Sequence, residues 1–248
     1  MTWSILARDA SGRLGVAIAS RFFAVGALCV HTRCDAGVLA TQALVNPIYG
    51  PQGLALLAAG RSAAEVVESL IAADAGRDQR QLHVLPVHGA AAAHTGTACV
   101  DWCGHIVHDH ISVAGNMLAG PQVLLASAQA FADTAGQTLA ERLIAALVAG
   151  DAAGGDKRGR QSAALRIQGG EDYAELDLRV DDHDDPFAEL QRLHAKSLER
   201  FQPFVGCLPR RSQPSGELDR NRIEAAIERF TAERLTAEHL SKTRSPNL

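Results

Sequence analysis

The chain has 248 residues, a formal net charge of −4 and 47% hydrophobic residues. This hydrophobic content excludes a disordered chain, and a charge near neutrality argues against nucleic-acid binding, which usually requires a basic excess. No apolar run reaches the roughly 18 residues that span a bilayer, and no secretory signal is recognisable at the start. Five cysteines without a disulfide-framework spacing favour reduced thiols, and we expect a cytoplasmic protein without a membrane partner.

The first forty residues predict the strands of an antiparallel sheet. Short apolar runs, separated by polar turns, occupy residues 2–7, 14–19, 26–32 and 37–41. The first two runs surround a turn with glycine, which is typical of a β-hairpin. Because side chains alternate along a strand, Thr2, Ser4 and Leu6 are expected to share one face.

The rest of the chain alternates between groups of helices and groups of strands. Helices are predicted at residues 50–59, 63–73, 123–131, 139–149 and 186–201, and strands at 82–87, 90–94, 105–107, 111–114, 162–167 and 174–180. Ser62 followed by Glu65 forms a capping box before the second helix. This grouping favours a layered α+β architecture with helices outside two sheets.

The chain after Pro203 differs in character from the part before it. A stretch with proline, serine and arginine is typical of a linker, and residues 217–242 predict a charged amphipathic helix. The apolar side of this helix carries Ile223, Ile227, Phe230 and Leu235. Because such a side would otherwise be exposed, we expect it to pack on the body of the protein or to form a dimer contact. We predict a domain at 1–203, a linker and helix at 204–248, and a homodimer.

Thr2 is a candidate for chemistry because of its position in the chain. Methionine aminopeptidase tolerates a small second residue, so removal of Met1 would leave a free α-amine beside the threonine hydroxyl. Such an amine can act as general base for that hydroxyl, which makes one residue both nucleophile and base. The alternative is an ordinary strand residue, since many proteins begin with Met-Thr.

Two segments at strand ends add polar side chains. Ser20 and Arg21 follow the second strand, where a cation can bind a carboxylate or set the field around a nucleophile. Gln42, Asn46 and Tyr49 lie between a strand and a helix, where side-chain amides can form an oxyanion hole. Turns and helix caps use the same residue types, so a structural role is the alternative.

Residues 154–162 form a glycine-rich segment with three cations that could hold an anion. The segment lacks the spacing of a phosphate-binding loop, and a solvated loop is the alternative.

Two other clusters could hold a metal ion. Residues 181–185 combine four aspartates with a histidine, although Asp185 before Pro186 is also a good helix N-cap. Cys99, Cys103 and the histidines that follow them match no standard zinc spacing.

Seven segments together resemble the bacterial and archaeal family called domain of unknown function 1028, in the same order along the chain. They are residues 2–9, 19–26, 40–43, 46–50, 115–118, 154–162 and 179–183. The resemblance extends from about residue 1 to about residue 200. That family is placed among the N-terminal nucleophile (Ntn) hydrolases, so the resemblance implies a four-layer α/β/β/α sandwich and cleavage of an amide bond by Thr2.

Two positions depart from the Ntn pattern. Proteasome-like enzymes place an Asp-Ser-Arg group one strand after the nucleophile, and here Ala19 precedes Ser20 and Arg21. No lysine stands on the third strand to lower the pKa of the nucleophile. The departures leave open a non-catalytic small-molecule binding protein with the same fold, and a metallohydrolase is a third alternative.

The leading hypothesis is a hydrolase of an amide bond in a small, anionic substrate, with neither cofactor nor metal. Asn116 and Gln42 would be oxyanion donors, Arg21 and Arg160 would bind substrate charge, and Asp156 and Asp181 would orient their neighbours. The predicted catalytic residues are Thr2, Ser20, Arg21, Asn116 and Asp156. The predicted substrate-binding residues are Gln42, Asn46, Tyr49, Arg160, Gln161, Asp181 and His183.

Overall fold

The strands form two antiparallel sheets. The computed structural model describes residues 2–243, with the side chains of residues 2–236. Within them, ten strands occur: β1 (Thr2–Arg8), β2 (Leu14–Ser20), β3 (Val30–Arg33), β4 (Gly37–Ala43), β5 (Arg80–Pro86), β6 (Ala92–Thr95), β7 (Trp102–His108), β8 (Ile111–Leu118), β9 (Ser162–Gln168) and β10 (Ala174–Val180). One sheet has the order β10-β9-β2-β1-β8-β7, and the other has the order β3-β4-β5-β6. The first strand is therefore an inner strand of the larger sheet.

The helices follow the sheets in groups, as the sequence predicts. In the described part of the chain they are α1 (Val25–Cys29), α2 (Tyr49–Ala58), α3 (Ala63–Ala72), α4 (Gln122–Asp133), α5 (Leu139–Ala152), α6 (Pro186–Ser197), α7 (Phe201–Val205) and α8 (Arg220–Thr243). The capping box of Ser62 and Glu65 is confirmed at the start of α3, and Thr138 with Glu141 repeats it at α5. Among these helices, none combines the length and apolar character needed to cross a membrane.

The strand predicted at residues 26–32 is wrong in its first half. The structure has α1 there, followed by β3. The chain must cross at this point, because β2 belongs to the six-stranded sheet and β3 to the four-stranded sheet. Val25 and Cys29, four residues apart, are both buried, which is the spacing of one helix face.

The two sheets pack against each other through one face each. Leu6 on β1 packs with Val38 on β4 and Leu85 on β5. Helices α2 and α3 pack on the other face of the four-stranded sheet. Helices α4 and α5 contact the six-stranded sheet, where a Cβ at Gly15 would lie 2.5 Å from Leu143 Cδ1. The predicted α+β class with two antiparallel sheets is thus confirmed.

Contacts divide the chain into two compact units, with the boundary between Gln191 and Arg192 inside α6. In the second unit, α7 contacts α8, and Arg200 forms an ion pair with Glu224. On the predicted apolar side of α8, Ile227 is buried, whereas Leu235 is exposed. The domain limits predicted at 1–203 and 204–248 remain a prediction.

Candidate active site

Thr2 lies at one end of the six-stranded sheet between two polar neighbours. In the register of the sheet it is opposite Ser20 of β2 and Asn116 of β8. The Thr2 hydroxyl donates a hydrogen bond to the Ser20 hydroxyl, with 3.1 Å between the two oxygens. All three residues are buried. Removal of Met1, on which a free amine at Thr2 depends, concerns a residue outside the described part of the chain.

Two side-chain amides contact the main-chain carbonyl of Thr2. Asn116 Nδ2 and Gln42 Nε2 donate long hydrogen bonds to this oxygen, at 3.4 and 3.5 Å. Gln42 Nε2 also donates to the carbonyl of Ala114 at 3.2 Å. Because Gln42 belongs to the four-stranded sheet, its amide links the two sheets beside Thr2. Thr2, Gln42 and Asn116 therefore lie together, with both amides directed at main-chain carbonyls.

Gln81 on β5 is the centre of a buried polar layer between the sheets. Its Oε1 accepts from Gln42 Nε2 at 2.7 Å and from Asn116 Nδ2 at 3.1 Å. Its Nε2 donates to the carbonyls of Gly104 and Gly115 at 3.0 and 2.9 Å. Since a carbonyl can only accept, these contacts fix the orientation of all three side-chain amides.

His83 extends this layer with two serine hydroxyls. Gln42 Oε1 must accept, so the Ser4 hydroxyl donates to it at 2.7 Å. Ser4 Oγ then accepts from His83 Nε2 at 2.8 Å, and His83 Nδ1 accepts from Ser112 Oγ at 2.9 Å. Complete burial, with a smaller contribution from His105, lowers the pKa of His83 to about 3. His83 is therefore neutral, with its proton on Nε2.

Asp156 ties the loop after α5 to both strands beside β1. Its carboxylate accepts from the Arg21 main-chain N–H at 2.9 Å, just beyond β2. It also accepts from the main-chain N–H of Arg158 at 2.8 Å. The Asp156 backbone forms a bridge with Leu118 of β8. Asp156 thus holds the glycine-rich loop at the end of the sheet where Thr2 lies.

The two predicted substrate-binding arginines have different surroundings. The Arg160 guanidinium pairs with Asp151 at 2.6 Å and with Asp185 at 3.6 Å. The Arg21 guanidinium donates to the Arg160 carbonyl at 2.6 Å. The positive charge of Arg160 is thus balanced by two carboxylates, whereas the contact of Arg21 is with a neutral oxygen.

Gln161, Asp181 and His183 build the edge of the same region through their main chains. The Gln161 N–H donates to the Ser20 carbonyl at 3.2 Å, and the His183 N–H donates to the Gln161 carbonyl at 2.9 Å. The Asp181 carbonyl accepts from the Ala24 N–H at 2.9 Å. These residues therefore lie near Ser20, where their main-chain bonds position the strand ends.

Asn46 and Tyr49 belong to a separate cluster around Asp74. The Tyr49 hydroxyl donates to Asp74 Oδ2 at 2.7 Å, and Asn46 Nδ2 donates to the same oxygen at 3.2 Å. The hydrogen bonds from Tyr49, the Gly76 N–H and Arg80 lower the pKa of Asp74. Burial, and then the hydrogen bond to Asp74, raise the pKa of Tyr49. The side chains of Asn46 and Tyr49 therefore contact the segment after α3 and, through Asp74, Arg80 at the start of β5, and they do not contact Thr2.

The metal clusters considered from the sequence do not assemble among residues 2–236. In that range, no group of three or more histidine, cysteine or acidic side chains is arranged to hold a metal ion. Asp181 instead forms an ion pair with Arg179, and His183 Nδ1 accepts from the Asp185 N–H. The metallohydrolase alternative therefore lacks a ligand set in the described part of the chain.

A cavity of about 250 Å³ lies beside Asn116. The ends of β4 and β8 line it, together with the segment between β6 and β7. Ala43 and Met117, which directly follow Gln42 and Asn116, border the cavity with φ angles of 70° and 56°. Such left-handed angles are strained for residues with a side chain and occur often at functional sites. Asn116 thus contacts Thr2 on one side and the cavity on the other.

Sequence reasoning missed the part of the network that lies on β5 and in the middle of β1 and β8. The missed residues are Ser4, Gln81, His83 and Ser112. A signal for them was present, because polar residues at every second position of an otherwise apolar strand indicate a polar face. Their partners, however, lie on other strands far along the chain, so the sequence did not show which groups meet.

The family model described as "Family of unknown function (DUF1028)" matches residues 2–190. The chain belongs to this family. A DUF1028 protein of known crystal structure, SPO2555 from Silicibacter pomeroyi, is 32% identical to it, with a TM-score of 0.81. That similarity covers 88% of this chain and 96% of SPO2555.

A second solved structure is only distantly similar to this DUF1028 chain. Anbu (ancestral beta-subunit) from Yersinia bercovieri is 14% identical, with a TM-score of 0.41 over 79% of this chain and 94% of Anbu. A similarity of this size carries no conclusion about the fold or activity of the chain. No protein of curated function matches it.

Proposed function

We propose that this DUF1028 protein hydrolyses an amide bond with Thr2 as nucleophile and without a cofactor. The observation that carries the proposal is the placement of Thr2 at the start of an inner strand, with its hydroxyl and its carbonyl both held by buried side chains. Such a placement fixes the hydroxyl relative to the nitrogen of the same residue, which a one-residue nucleophile and base requires. The proposal includes a four-layer α/β/β/α sandwich of the Ntn type.

The reaction needs only one residue for proton transfer. After removal of Met1, the α-amine of Thr2 accepts the hydroxyl proton while Oγ1 attacks the carbonyl carbon of the substrate amide. The proton then passes to the leaving nitrogen, the C–N bond breaks and an ester on Thr2 remains. A water molecule gives a proton to the amine and attacks this ester, which releases the acid and restores the hydroxyl.

The neighbouring residues position this group. Ser20 fixes the Thr2 hydroxyl by accepting its hydrogen bond. Gln42 and Asn116 fix the Thr2 carbonyl, which is a positioning role in place of the oxyanion role expected from the sequence. Asp156 holds Arg21, whose guanidinium would bind a carboxylate of the substrate. A homodimer and a cytoplasmic location remain predictions.

The mass of the intact protein and a covalent label test the proposal. We expect a mass one methionine short of the full chain, and labelling of Thr2 by a β-lactone, which the hydroxyl opens to an ester. Thr2→Ser should retain the label. Thr2→Val should lose the label, because valine keeps a side chain branched at Cβ but has no hydroxyl. Thr32→Val is the matched control, since Thr32 is also a strand threonine whose hydroxyl donates to another side chain, in its case to Gln168 Oε1 at 3.0 Å.

Two results would contradict the proposal. A retained Met1 would leave the amine on the wrong residue, and labelling that persists in Thr2→Val would place the nucleophile elsewhere. Amide binding without labelling or turnover in the processed protein would instead support the alternative of a non-catalytic binding protein.

A further inference from the structure

The surroundings of Thr2 differ between the two strands that flank β1. On the β2 side, Arg21 follows Ser20 and presents a guanidinium that donates to the main-chain carbonyl of Arg160. On the β8 side, Asn116 lies opposite Thr2 and borders the cavity of about 250 Å³. A molecule bound across Thr2 therefore meets a cation at one end and the cavity at the other.

The lining of the cavity carries no charge at neutral pH. Its polar side chains are the amides of Gln79 and Asn116 and the thiol of Cys99. Burial, with a further contribution from Cys103, raises the pKa of the Cys99 thiol, which keeps it protonated. A charged group would lose its hydration in this cavity without gaining a partner of opposite charge.

Two large apolar side chains of the lining are exposed to solvent. Leu44 is 56% exposed and Val100 is 58% exposed. They come from different segments, Leu44 directly after β4 and Val100 from the chain between β6 and β7. Exposed apolar groups that line a concave site indicate contact with an apolar ligand.

Asn116 provides one directional contact to a ligand. Both hydrogens of its Nδ2 are used, one for Gln81 Oε1 and one for the Thr2 carbonyl. No donor among residues 2–236 contacts Asn116 Oδ1, so this oxygen can accept a hydrogen bond from a ligand N–H.

We propose that the cavity beside Asn116 binds an uncharged apolar group of the amide substrate, with a substrate N–H donating to Asn116 Oδ1. The inference rests on the proposed function and names the class of substrate for it: an amide with a short apolar group on the Asn116 side and a carboxylate on the Arg21 side. The volume is below the range of roughly 300–1,000 Å³ that holds whole drug-sized ligands. The apolar group is therefore a chain of a few carbon atoms.

Binding of simple amides to the Thr2→Val protein tests the cavity separately from catalysis. Acetamide, butanamide and hexanamide would be titrated and their affinities measured by NMR. We expect affinity to rise about fourfold for each methylene group until the cavity is filled. Succinamide, whose second amide puts an uncharged polar group in place of the apolar end, should bind no better than acetamide.

Variants of the lining locate the effect. Ala98→Leu fills the cavity and should remove the dependence on chain length, and Leu44→Ala should weaken hexanamide binding at least threefold. Leu125→Ala is the matched control, because Leu125 is a similarly exposed leucine on α4, 59% exposed, outside the cavity lining. If Ala98→Leu does not fold, Leu44→Ala and its control decide the result.

The possible results separate the two proposals. Labelling of Thr2 with affinities that do not change along the amide series would overturn the cavity inference and leave the hydrolase proposal standing. A rise along the series that Leu44→Ala abolishes, without labelling or turnover, would support the cavity and contradict the hydrolase. A rise that Leu125→Ala affects as strongly as Leu44→Ala would place the binding outside the cavity and overturn the inference.

Discussion

The two ends of the layer between the sheets are built from different chemistry. At one end Leu6 and Leu85 pack with other apolar side chains. Two residues away on the same strands, Ser4 and His83 form hydrogen bonds to each other and to their neighbours. Since positions two apart share a face, the same pair of strands changes from apolar to polar packing toward Thr2.

The apolar end holds the two sheets together, whereas the polar end sets their orientation relative to each other. Apolar packing is non-directional and tolerates small shifts between the sheets. A network whose donors and acceptors are all assigned tolerates few arrangements, because each shift leaves a buried polar atom unpaired. The polar end therefore determines the position of the Thr2 carbonyl, and the apolar end contributes to the free energy that holds the two sheets together.

The largest effect on stability is expected at the centre of the polar end. Gln81→Leu removes the acceptor of two amides and the donor to two carbonyls, which leaves several buried groups unpaired. The free energy of unfolding should fall by about 4 kcal/mol, as measured by urea denaturation. A loss below about 1 kcal/mol would show that the network adds little beyond its apolar contacts.

A smaller loss is expected from the apolar end. Leu85→Ala leaves a cavity between the sheets and should reduce the free energy of unfolding by about 3 kcal/mol. Because Leu85 does not position Thr2, β-lactone labelling of the folded variant should match that of the unchanged protein. Loss of labelling in a variant that remains folded would contradict the division between the two ends.

The polar end should also make stability depend on pH. The pKa of His83 falls from 6.5 to about 3 on folding, so between these values the unfolded chain binds a proton that the folded protein does not. Stability should therefore decrease as the pH falls through this window, by at most about 1.4 kcal/mol per pH unit from this residue.

The contribution of His83 is measured as a difference between variants. Urea denaturation from pH 7 to pH 4 should give a shallower decrease for His83→Gln than for the unchanged protein. Leu85→Ala should keep the full decrease, although it is less stable at every pH. Parallel curves for His83→Gln and the unchanged protein would show that His83 is not the group responsible.

The smallest effect is expected outside the layer between the sheets, at the cluster of Tyr49 and Asp74. Asp74→Asn weakens the hydrogen bonds to the carboxylate and should cost about 2 kcal/mol at pH 7. Because the pKa of Asp74 is lowered on folding, its contribution is present above pH 3.8 and is lost as the pH falls through the folded value. The difference between variant and parent should shrink below pH 3.8, and labelling of Thr2 should be unchanged.

The sequence predicts the fold class and the long helices because these depend on local patterns. The capping residues Ser62 and Glu65 and the face shared by Ser4 and Leu6 are both seen in the structure. The helix at Val25–Cys29 was missed, because the need to cross between sheets is a tertiary requirement that five residues do not encode.

The candidate site could be predicted only where its members lie at strand ends. Thr2, Ser20 and Asn116 are neighbours in the sheet. Thr2 begins the first predicted strand, and Ser20 directly follows the second. Gln42 and Tyr49 are close in sequence, yet Gln42 contacts Thr2 and Tyr49 contacts Asp74. The direction of each side chain follows from the backbone path, which sequence proximity does not give.

The inner position of β1 has a consequence for the order of events during synthesis. β2 follows β1 closely in the chain, but the other neighbour of β1, β8, begins at Ile111, and β9, which completes the surroundings of Ser20, begins at Ser162. At about 5–20 residues per second, a ribosome needs roughly ten to thirty seconds to reach β9. Until then Thr2 is accessible to enzymes that trim nascent chains, so processing of the terminus can precede closure of the site around it.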